Sequence, residues 1–378
     1  MTKPTLLSLS ALAVTAVLLC PGTRAQQPSE VPAATLKMTV REVVLPVTVR
    51  DKKGELVTTL QKSDFTLDED GRPQTIKSFT HDTSQPYRVG LLVDTSRSLS
   101  GAMEAERKAA ATFVDDLLPA PPAESKDQAF LIHFDREVEL LQDFTNSRDK
   151  LHHELEDMGP TAQQHDDRQG PETTDNPNTT SPRRRGGTQL YDAIYLAADE
   201  LMKQKDGRKA LVIFSDGADR GSKETLNDAI DAADRANLTI YTIFFKGERE
   251  QQDFGSHGGG RRGGGGGWPG GGGGGGWPGS GGGRRQPEPT SATGIDGKKI
   301  MQEIASRSGG HAFEAKKPQD LDAIYKLIDQ EMRSQYLLTY TPDKVDTDGG
   351  FHKIALTTNN KDWSVATREG YYAPEGKQ

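Results

Sequence analysis

Hydrophobic positions in this chain follow two patterns, one typical of small antiparallel sheets and one typical of strands that alternate with helices. Between residues 87 and 328, continuous apolar runs such as 89–93 are followed by apolar residues at helical spacing. Ala110, Phe113 and Val114, for example, lie at positions i, i+3 and i+4. Continuous apolar strands are typical of parallel sheets buried on both faces. The pattern therefore predicts an α/β fold with a doubly wound, mostly parallel sheet.

The same alternation continues through the rest of this region. Further strands are predicted at 129–134, 138–144, 210–214, 238–245 and 311–314. Further helices are predicted around 151–158, 190–201, 226–233, 300–304 and 321–328. We assign residues 86–328 to one α/β domain, because strands and helices follow one another without a second change of pattern.

The segments on either side of this domain contain strand-like runs without intervening helices. Before it, runs are predicted at 40–49, 56–60, 64–67 and 74–79; after it, at 336–341, 352–357 and 365–367. Neither segment, 36–82 or 335–374, contains enough apolar surface for a stable fold alone. We therefore expect the two segments to pair and form one small β domain.

Two polar stretches interrupt the α/β region and are predicted to be disordered. Residues 159–187 are rich in proline and polar side chains, and residues 250–293 contain 20 of the 41 glycines. Glycine tracts bury too little surface to offset their ordering entropy. The first stretch runs into Thr188, just before a predicted helix, and the second follows the carboxyl end of the predicted strand 238–245. We expect both on the same face of the domain, where two interpretations remain open. They form a lid or a partner-binding arm there, or they are solvated loops tolerated at the surface.

The first 25 residues have the features of a cleaved export signal. Lys3 precedes an apolar run from Leu6 to Cys20, and Thr23 and Ala25 are small residues at the −3 and −1 positions. The run is short for a transmembrane helix, although an uncleaved anchor is the alternative. Cleavage after Ala25 removes the only cysteine and leaves no transmembrane segment. We therefore expect a secreted or periplasmic protein without disulfides.

Five oxygen-bearing side chains stand at the carboxyl ends of predicted strands or just before a predicted helix. They are Asp94, Ser96, Ser98, Thr188 and Asp216. Open α/β sheets bind ligands at this edge. An all-oxygen set of modest charge suits a hard divalent cation, Mg²⁺ first and Mn²⁺ or Ca²⁺ as alternatives. Each side chain alone is equally consistent with a helix cap or a turn, so the prediction depends on their combination.

With these residues in view, the stretch 87–328 resembles the von Willebrand factor A family. The five side chains match the metal-ion-dependent adhesion site of that family one for one. The flanking stretches 47–54, 64–71 and 368–372 resemble bacterial secreted proteins related to the same family. The resemblance implies a Rossmann-like domain that binds a cation, with an acidic side chain of a protein partner completing the coordination of that cation. The two long insertions depart from the family pattern and leave access to the site undefined.

The sequence favours a binding protein over an enzyme, but alternatives remain. A formal net charge of −8 argues against a general nucleic-acid binder. A phosphatase or phosphotransferase would use Asp94 as nucleophile and usually needs a second acid two residues later, where this chain has Ser96. A structural cell-envelope protein with a vestigial metal site is the other alternative. Asp219 is either a positioning group for metal-bound water or an ordinary loop acid. The eight histidines show no metal-ligand spacing.

Overall fold

The computed structural model describes residues 42–81, 85–119, 125–159, 187–247, 296–344 and 349–373. All of these residues belong to the compact unit Val40–Gln378; the other unit, Met1–Thr39, lies outside the described residues. The predicted signal peptide and the insertion 250–293 also lie outside them, as does the insertion 159–187 except for its two end residues. Within the described ranges, no helix combines the length and the hydrophobicity needed to cross a bilayer.

A six-stranded sheet forms the centre of the α/β region. Its strands lie in the order β10-β9-β8-β5-β6-β7, and every neighbouring pair is parallel except β6 and β7, which are antiparallel. The strands are β5 (Tyr87–Asp94), β6 (Gln128–Phe134), β7 (Val138–Thr145), β8 (Arg208–Ser215), β9 (Thr239–Phe245) and β10 (Ala312–Ala315). The run 89–93 is fully buried because helices cover both faces of its strand.

Among the described residues, six α-helices pack on this sheet and divide its apolar side chains into two cores. They are α1 (Met103–Leu117), α2 (Arg148–Asp157), α3 (Leu190–Leu196), α4 (Leu226–Ala236), α5 (Gly297–Arg307) and α6 (Leu321–Arg333). Leu91 packs with α1, α2 and α6, whereas the next residue, Leu92, packs with α3, α4 and α5. Alternation along a strand sends successive side chains to opposite faces. The predicted α/β class with a mostly parallel sheet is confirmed.

The flanking segments form two four-stranded sheets, in the orders β13-β1-β11-β4 and β14-β12-β2-β3. Their strands are β1 (Val43–Arg50), β2 (Phe65–Glu69), β3 (Arg72–Gln74), β4 (Ile76–Thr80), β11 (Tyr336–Tyr340), β12 (Phe351–Thr358), β13 (Ser364–Ala366) and β14 (Gly370–Tyr372). Each sheet combines strands from both ends of the chain, and Leu45 of β1 lies opposite Leu338 of β11. Strands that precede the α/β region in the sequence therefore pair with strands that follow it.

One strand prediction in these segments is wrong. Residues 56–60 form no strand, and Leu56 makes only an isolated bridge with Arg50. Leu60 is nevertheless buried, and its backbone N–H donates to the Tyr336 hydroxyl over 3.0 Å. Burial of apolar side chains explains the strand-like sequence pattern of this segment, although it forms no strand. Part of its backbone is held by a side chain instead.

Candidate metal site

The candidate site lies where the central strands β5 and β8 end. Asp94 is the last residue of β5, and Asp216 directly follows β8. Because Val93 pairs with Phe214 in parallel register, the two chain segments leave the sheet side by side. Parallel neighbouring strands thus bring two acidic residues from distant parts of the sequence to one edge.

The Asp94 carboxylate is fully buried and fixed at both oxygens. Its Oδ1 accepts a hydrogen bond from the Ser96 backbone N–H over 2.9 Å, and its Oδ2 accepts one from the Ser215 hydroxyl over 2.7 Å. The first contact bends the chain directly after the strand and turns Ser96 back toward the site. Ser215 was not among the predicted ligands, and here it orients one of them.

Hydroxyl groups connect the two strand ends. The Ser96 and Ser98 hydroxyls lie 3.1 Å apart, and the Ser98 hydroxyl donates to Asp216 Oδ2 over 2.9 Å. The other oxygen of Asp216, Oδ1, accepts from the Ala218 backbone N–H over 3.0 Å. Four of the five predicted side chains therefore form one connected group: Asp94, Ser96, Ser98 and Asp216.

Thr188 lies on a loop that is hydrogen-bonded to the segment after β8, the segment that also carries Asp216. It is buried, and its carbonyl accepts hydrogen bonds from the backbone N–H groups of Arg220 and Gly221 at 3.0 and 3.2 Å. The next residue, Gln189, donates to the Asp135 carbonyl at the end of β6 over 3.0 Å. These hydrogen bonds hold the Thr188 loop between the end of β6 and the loop that follows β8. Among the described residues, its hydroxyl makes no hydrogen bond to the other four.

The electrostatics of the group favour a cation. Burial, with a smaller contribution from the nearby Asp216 carboxylate, raises the pKa of Asp94 to about 7, although hydrogen bonds from Ser96 and Ser215 lower it. Two carboxylates held near one another in a desolvated position are costly without a compensating positive charge. Three hydroxyls and two carboxylates also match the ligands that Mg²⁺ and Mn²⁺ prefer. The residues present therefore fit a divalent cation.

A glycine at the end of β9 closes one side of the group. A Cβ atom added to Gly247 would lie 2.7 Å from Asp216 Oδ2 and 2.8 Å from Ser98 Cβ. Both distances are shorter than ordinary van der Waals contacts. The backbone at Gly247 thus passes directly against two predicted ligands. Sequence reasoning missed this residue, because a single glycine beside a glycine-rich stretch carries no distinguishing signal.

Asp219 has a structural role in the loop after β8. Its Oδ1 accepts hydrogen bonds from the Ser222 hydroxyl at 2.5 Å and from the Tyr191 backbone N–H at 3.3 Å. The second contact attaches the loop to the first turn of α3, which begins two residues after Thr188. These contacts favour the interpretation of Asp219 as a loop acid that positions the Thr188 segment.

A second group of possible metal ligands lies in the small β sheets. Ligand atoms of Glu69, Asp70 and His352 all lie within 4.8 Å of one another. In the structure these side chains form hydrogen bonds with each other and with neighbouring residues. His352 Nδ1 lies 2.9 Å from Asp70 Oδ2, and the Tyr340 hydroxyl donates to Glu69 Oε2 over 2.6 Å. Sequence spacing did not predict this group, because His352 and Asp70 are 282 residues apart.

Comparison with known families identifies one segment of the chain. Residues 89–218 match the family model of the von Willebrand factor type A domain. This segment contains all five predicted ligands of the candidate site. No curated protein matches the chain.

Several solved structures resemble the chain weakly. An aerotolerance-related membrane protein from Bacteroides fragilis is 16% identical with a TM-score of 0.39, over 65% of this chain and 98% of that chain. The von Willebrand factor domain of the type V pilus tip protein Mfa5 from Porphyromonas gingivalis is 14% identical with a TM-score of 0.41, over 66% and 95%. Proximal thread matrix protein 1 from mussel byssus, solved with a zinc-occupied MIDAS motif, is 12% identical with a TM-score of 0.39, over 65% and 47%.

Similarities at this level do not extend to ligands or partners. The family match is instead supported by the structure itself, which has a mostly parallel six-stranded sheet with helices on both faces. Residues 89–218 of the chain are therefore similar to the von Willebrand factor type A domain.

Proposed function

We propose that this protein is an exported binding module that engages an acidic side chain of a protein partner through a divalent cation. Asp94, Ser96, Ser98, Thr188 and Asp216 would hold the cation. When bound, the cation supplies a positive charge able to accept a carboxylate from outside the protein. The observation that carries the proposal is the hydrogen-bonded group joining the ends of β5 and β8.

Neutral ligands are important for this function. Two carboxylates nearly balance the charge of a divalent cation, whereas the hydroxyls of Ser96, Ser98 and Thr188 add ligands without adding charge. The ion then retains attraction for an anionic group. Ser98 and Asp216 are partly exposed, so the group opens toward solvent on one side.

The surroundings of Asp94 support binding over catalysis. This carboxylate is fully buried, so neither oxygen is exposed to a substrate, whereas each accepts only one hydrogen bond and keeps a lone pair for a small cation. A nucleophilic carboxylate needs access to the reacting atom and a neighbouring acid or base. Ser96, at the position where such an acid would stand, has its hydroxyl beside that of Ser98. We therefore propose a module without enzymatic activity.

Export is a part of the proposal that depends on the sequence alone. The predicted signal peptide 1–25 would place the mature chain in the periplasm or outside the cell. Cleavage after Ala25 is checked directly by the N-terminal sequence of protein recovered from the producing cell. A mature protein beginning at Gln26 would agree with the proposal, and an intact N-terminus on the exported protein would overturn this part.

Calorimetric titration of Mg²⁺ and Mn²⁺ tests the metal site. We expect saturable binding to the native protein and its loss in a Ser96→Ala, Asp216→Ala double variant. A Ser100→Ala, Asp322→Ala variant is the matched control, since it removes one exposed hydroxyl and one exposed carboxylate elsewhere. Equal metal binding by the native protein and the Ser96→Ala, Asp216→Ala variant would contradict the proposed ligands.

A further inference from the structure

Positively charged side chains surround the candidate metal site and have no role in the proposed coordination. Arg97, Arg220 and Lys246 are all exposed. Arg97 stands between Ser96 and Ser98 in the loop that supplies two predicted ligands. All three cations lie on loops at the carboxyl edge of the central sheet.

The other two cations adjoin the remaining ligands. The Arg220 backbone N–H donates to the Thr188 carbonyl over 3.0 Å, so this arginine lies against the Thr188 loop. Lys246 directly precedes Gly247, whose backbone passes against Ser98 and Asp216. The two cations therefore stand at different edges of the same group.

These two cations are not neutralised within the described part of the chain. Neither Arg220 nor Lys246 has a carboxylate partner within 4.0 Å there. Acids close to the site are engaged by other groups. Asp219 accepts hydrogen bonds from Tyr191 and Ser222, and Asp296 forms an ion pair with Lys299 at 3.3 Å. Within the described ranges, Arg220 and Lys246 are therefore two exposed positive charges beside the metal group without an ion-pair partner.

We propose that the partner presents an acidic segment, with further carboxylates beside the one that reaches the cation, and that Arg220 and Lys246 bind them. This inference rests on the proposed function and specifies its partner. Opposite charges around two binding surfaces accelerate their association and disfavour partners of the wrong charge. A lone carboxylate on a neutral surface would leave both cations unused, whereas a short acidic segment would engage the cation and both side chains. A net charge of −8 disfavours extended polyanions such as nucleic acids.

Binding of two labelled synthetic peptides tests this inference. One peptide carries a single aspartate in a serine and glycine background, and the other carries the same aspartate followed by several more. Fluorescence anisotropy is measured in Mn²⁺ for the native protein and for an Arg220→Gln, Lys246→Gln variant. A Lys108→Gln, Lys326→Gln variant is the control, since it loses the same charge from exposed positions on α1 and α6.

We expect the acidic peptide to bind native protein and control equally, and to bind the Arg220→Gln, Lys246→Gln variant roughly fivefold more weakly. The single-aspartate peptide should bind the native protein and both variants with similar affinity. Added salt should appreciably weaken the binding of the acidic peptide only, because salt screens the attraction between its extra carboxylates and the two cations Arg220 and Lys246. The Mn²⁺ affinity measured without peptide should be retained in both variants.

Three outcomes would overturn the inference. The two peptides could bind equally tightly, the two variants could lose affinity equally, or the acidic peptide could bind as well in chelator as in Mn²⁺. The first two would leave metal-dependent binding of a single carboxylate intact, so the proposed function would survive. Absence of Mn²⁺ binding by the native protein would instead refute the proposed function, and the inference with it.

Discussion

The Ser98 hydroxyl donates a hydrogen bond to Asp216 Oδ2 over 2.9 Å, joining two loops whose residues are 118 positions apart. This contact fixes the relative position of the segments that follow β5 and β8. A divalent cation between them would be held by side chains that are already oriented. Preorganised ligands lose less conformational entropy when the ion binds.

Substitution of Gly247 tests whether the space beside these ligands is needed. Gly247→Ala would place a Cβ atom 2.7 Å from Asp216 Oδ2 and displace that ligand or the backbone. We expect Mn²⁺ affinity to fall about tenfold or more, equivalent to about 1.4 kcal/mol. Calorimetric titration measures the loss, and thermal denaturation checks that the fold is retained.

Gly159→Ala is the control for this substitution. A Cβ atom at Gly159 meets no heavy atom of the described residues within 4 Å, so the affinity for Mn²⁺ should remain native. Native affinity in the Gly247→Ala variant would show that the group beside Gly247 does not hold the ion.

The small β sheets are attached to the α/β region by a buried ion pair. An Arg50 Nη2 of β1 donates to Glu331 Oε2 of α6, and the Glu331 side chain is completely buried. Arg50→Met would leave this carboxylate without its counter-charge, at a cost of about 3–5 kcal/mol in unfolding free energy. Urea denaturation measures the change. Adding Glu331→Leu to Arg50→Met should recover most of the lost stability, because two apolar side chains then replace the pair. A double variant no more stable than Arg50→Met would contradict this account.

Stability should depend on pH through a buried carboxyl between α1 and α6. Tyr325 donates a hydrogen bond to Glu106 Oε1, and both side chains are buried. Burial raises the pKa of Glu106 from 4.5 to about 8. The folded protein then keeps a proton that the unfolded chain releases, so stability from this group is complete below the unfolded pKa. It is lost progressively as pH rises toward the folded pKa.

Glu106→Gln isolates this contribution. Native unfolding free energy should fall by at most about 1.4 kcal/mol per pH unit between these two pKa values because of Glu106. The variant should lack that decrease, so the difference in unfolding free energy between the two proteins should change steadily across the window. Urea denaturation at several pH values measures it. Parallel curves for the two proteins would contradict a protonated Glu106 in the folded state.

The two ends of the chain should depend on each other for folding. Strand β1 is paired with β11 and β13, so a chain ending at Gln335 removes both neighbours and exposes Leu45 and Val47. We expect the segment 42–81 to become sensitive to proteolysis, whereas a control chain ending at Ala373 should remain resistant. A protected segment 42–81 in the shorter chain would show that the predicted β domain does not need its C-terminal half.

Sequence patterns predicted the parts of the protein that depend on local chemistry. The fully apolar run in β5 required burial on both faces, and Asp94 and Asp216 were predictable as the first acidic residues at the carboxyl ends of two buried apolar runs. The position of Gly247 against Ser98 was not predictable, because it depends on how the end of β9 packs on distant loops. The pairing of His352 with Asp70 likewise depends on the register of β12 with β2, which alternation alone does not set.

Anomalous diffraction from crystals of the native protein soaked in Mn²⁺ locates the bound ion. We expect an anomalous peak among Asp94, Ser96, Ser98, Thr188 and Asp216, within coordination distance of the Ser98 and Asp216 oxygens. The second acidic group provides an internal comparison. A peak only beside Glu69, Asp70 and His352, or no peak in a saturating soak, would contradict the proposed metal site.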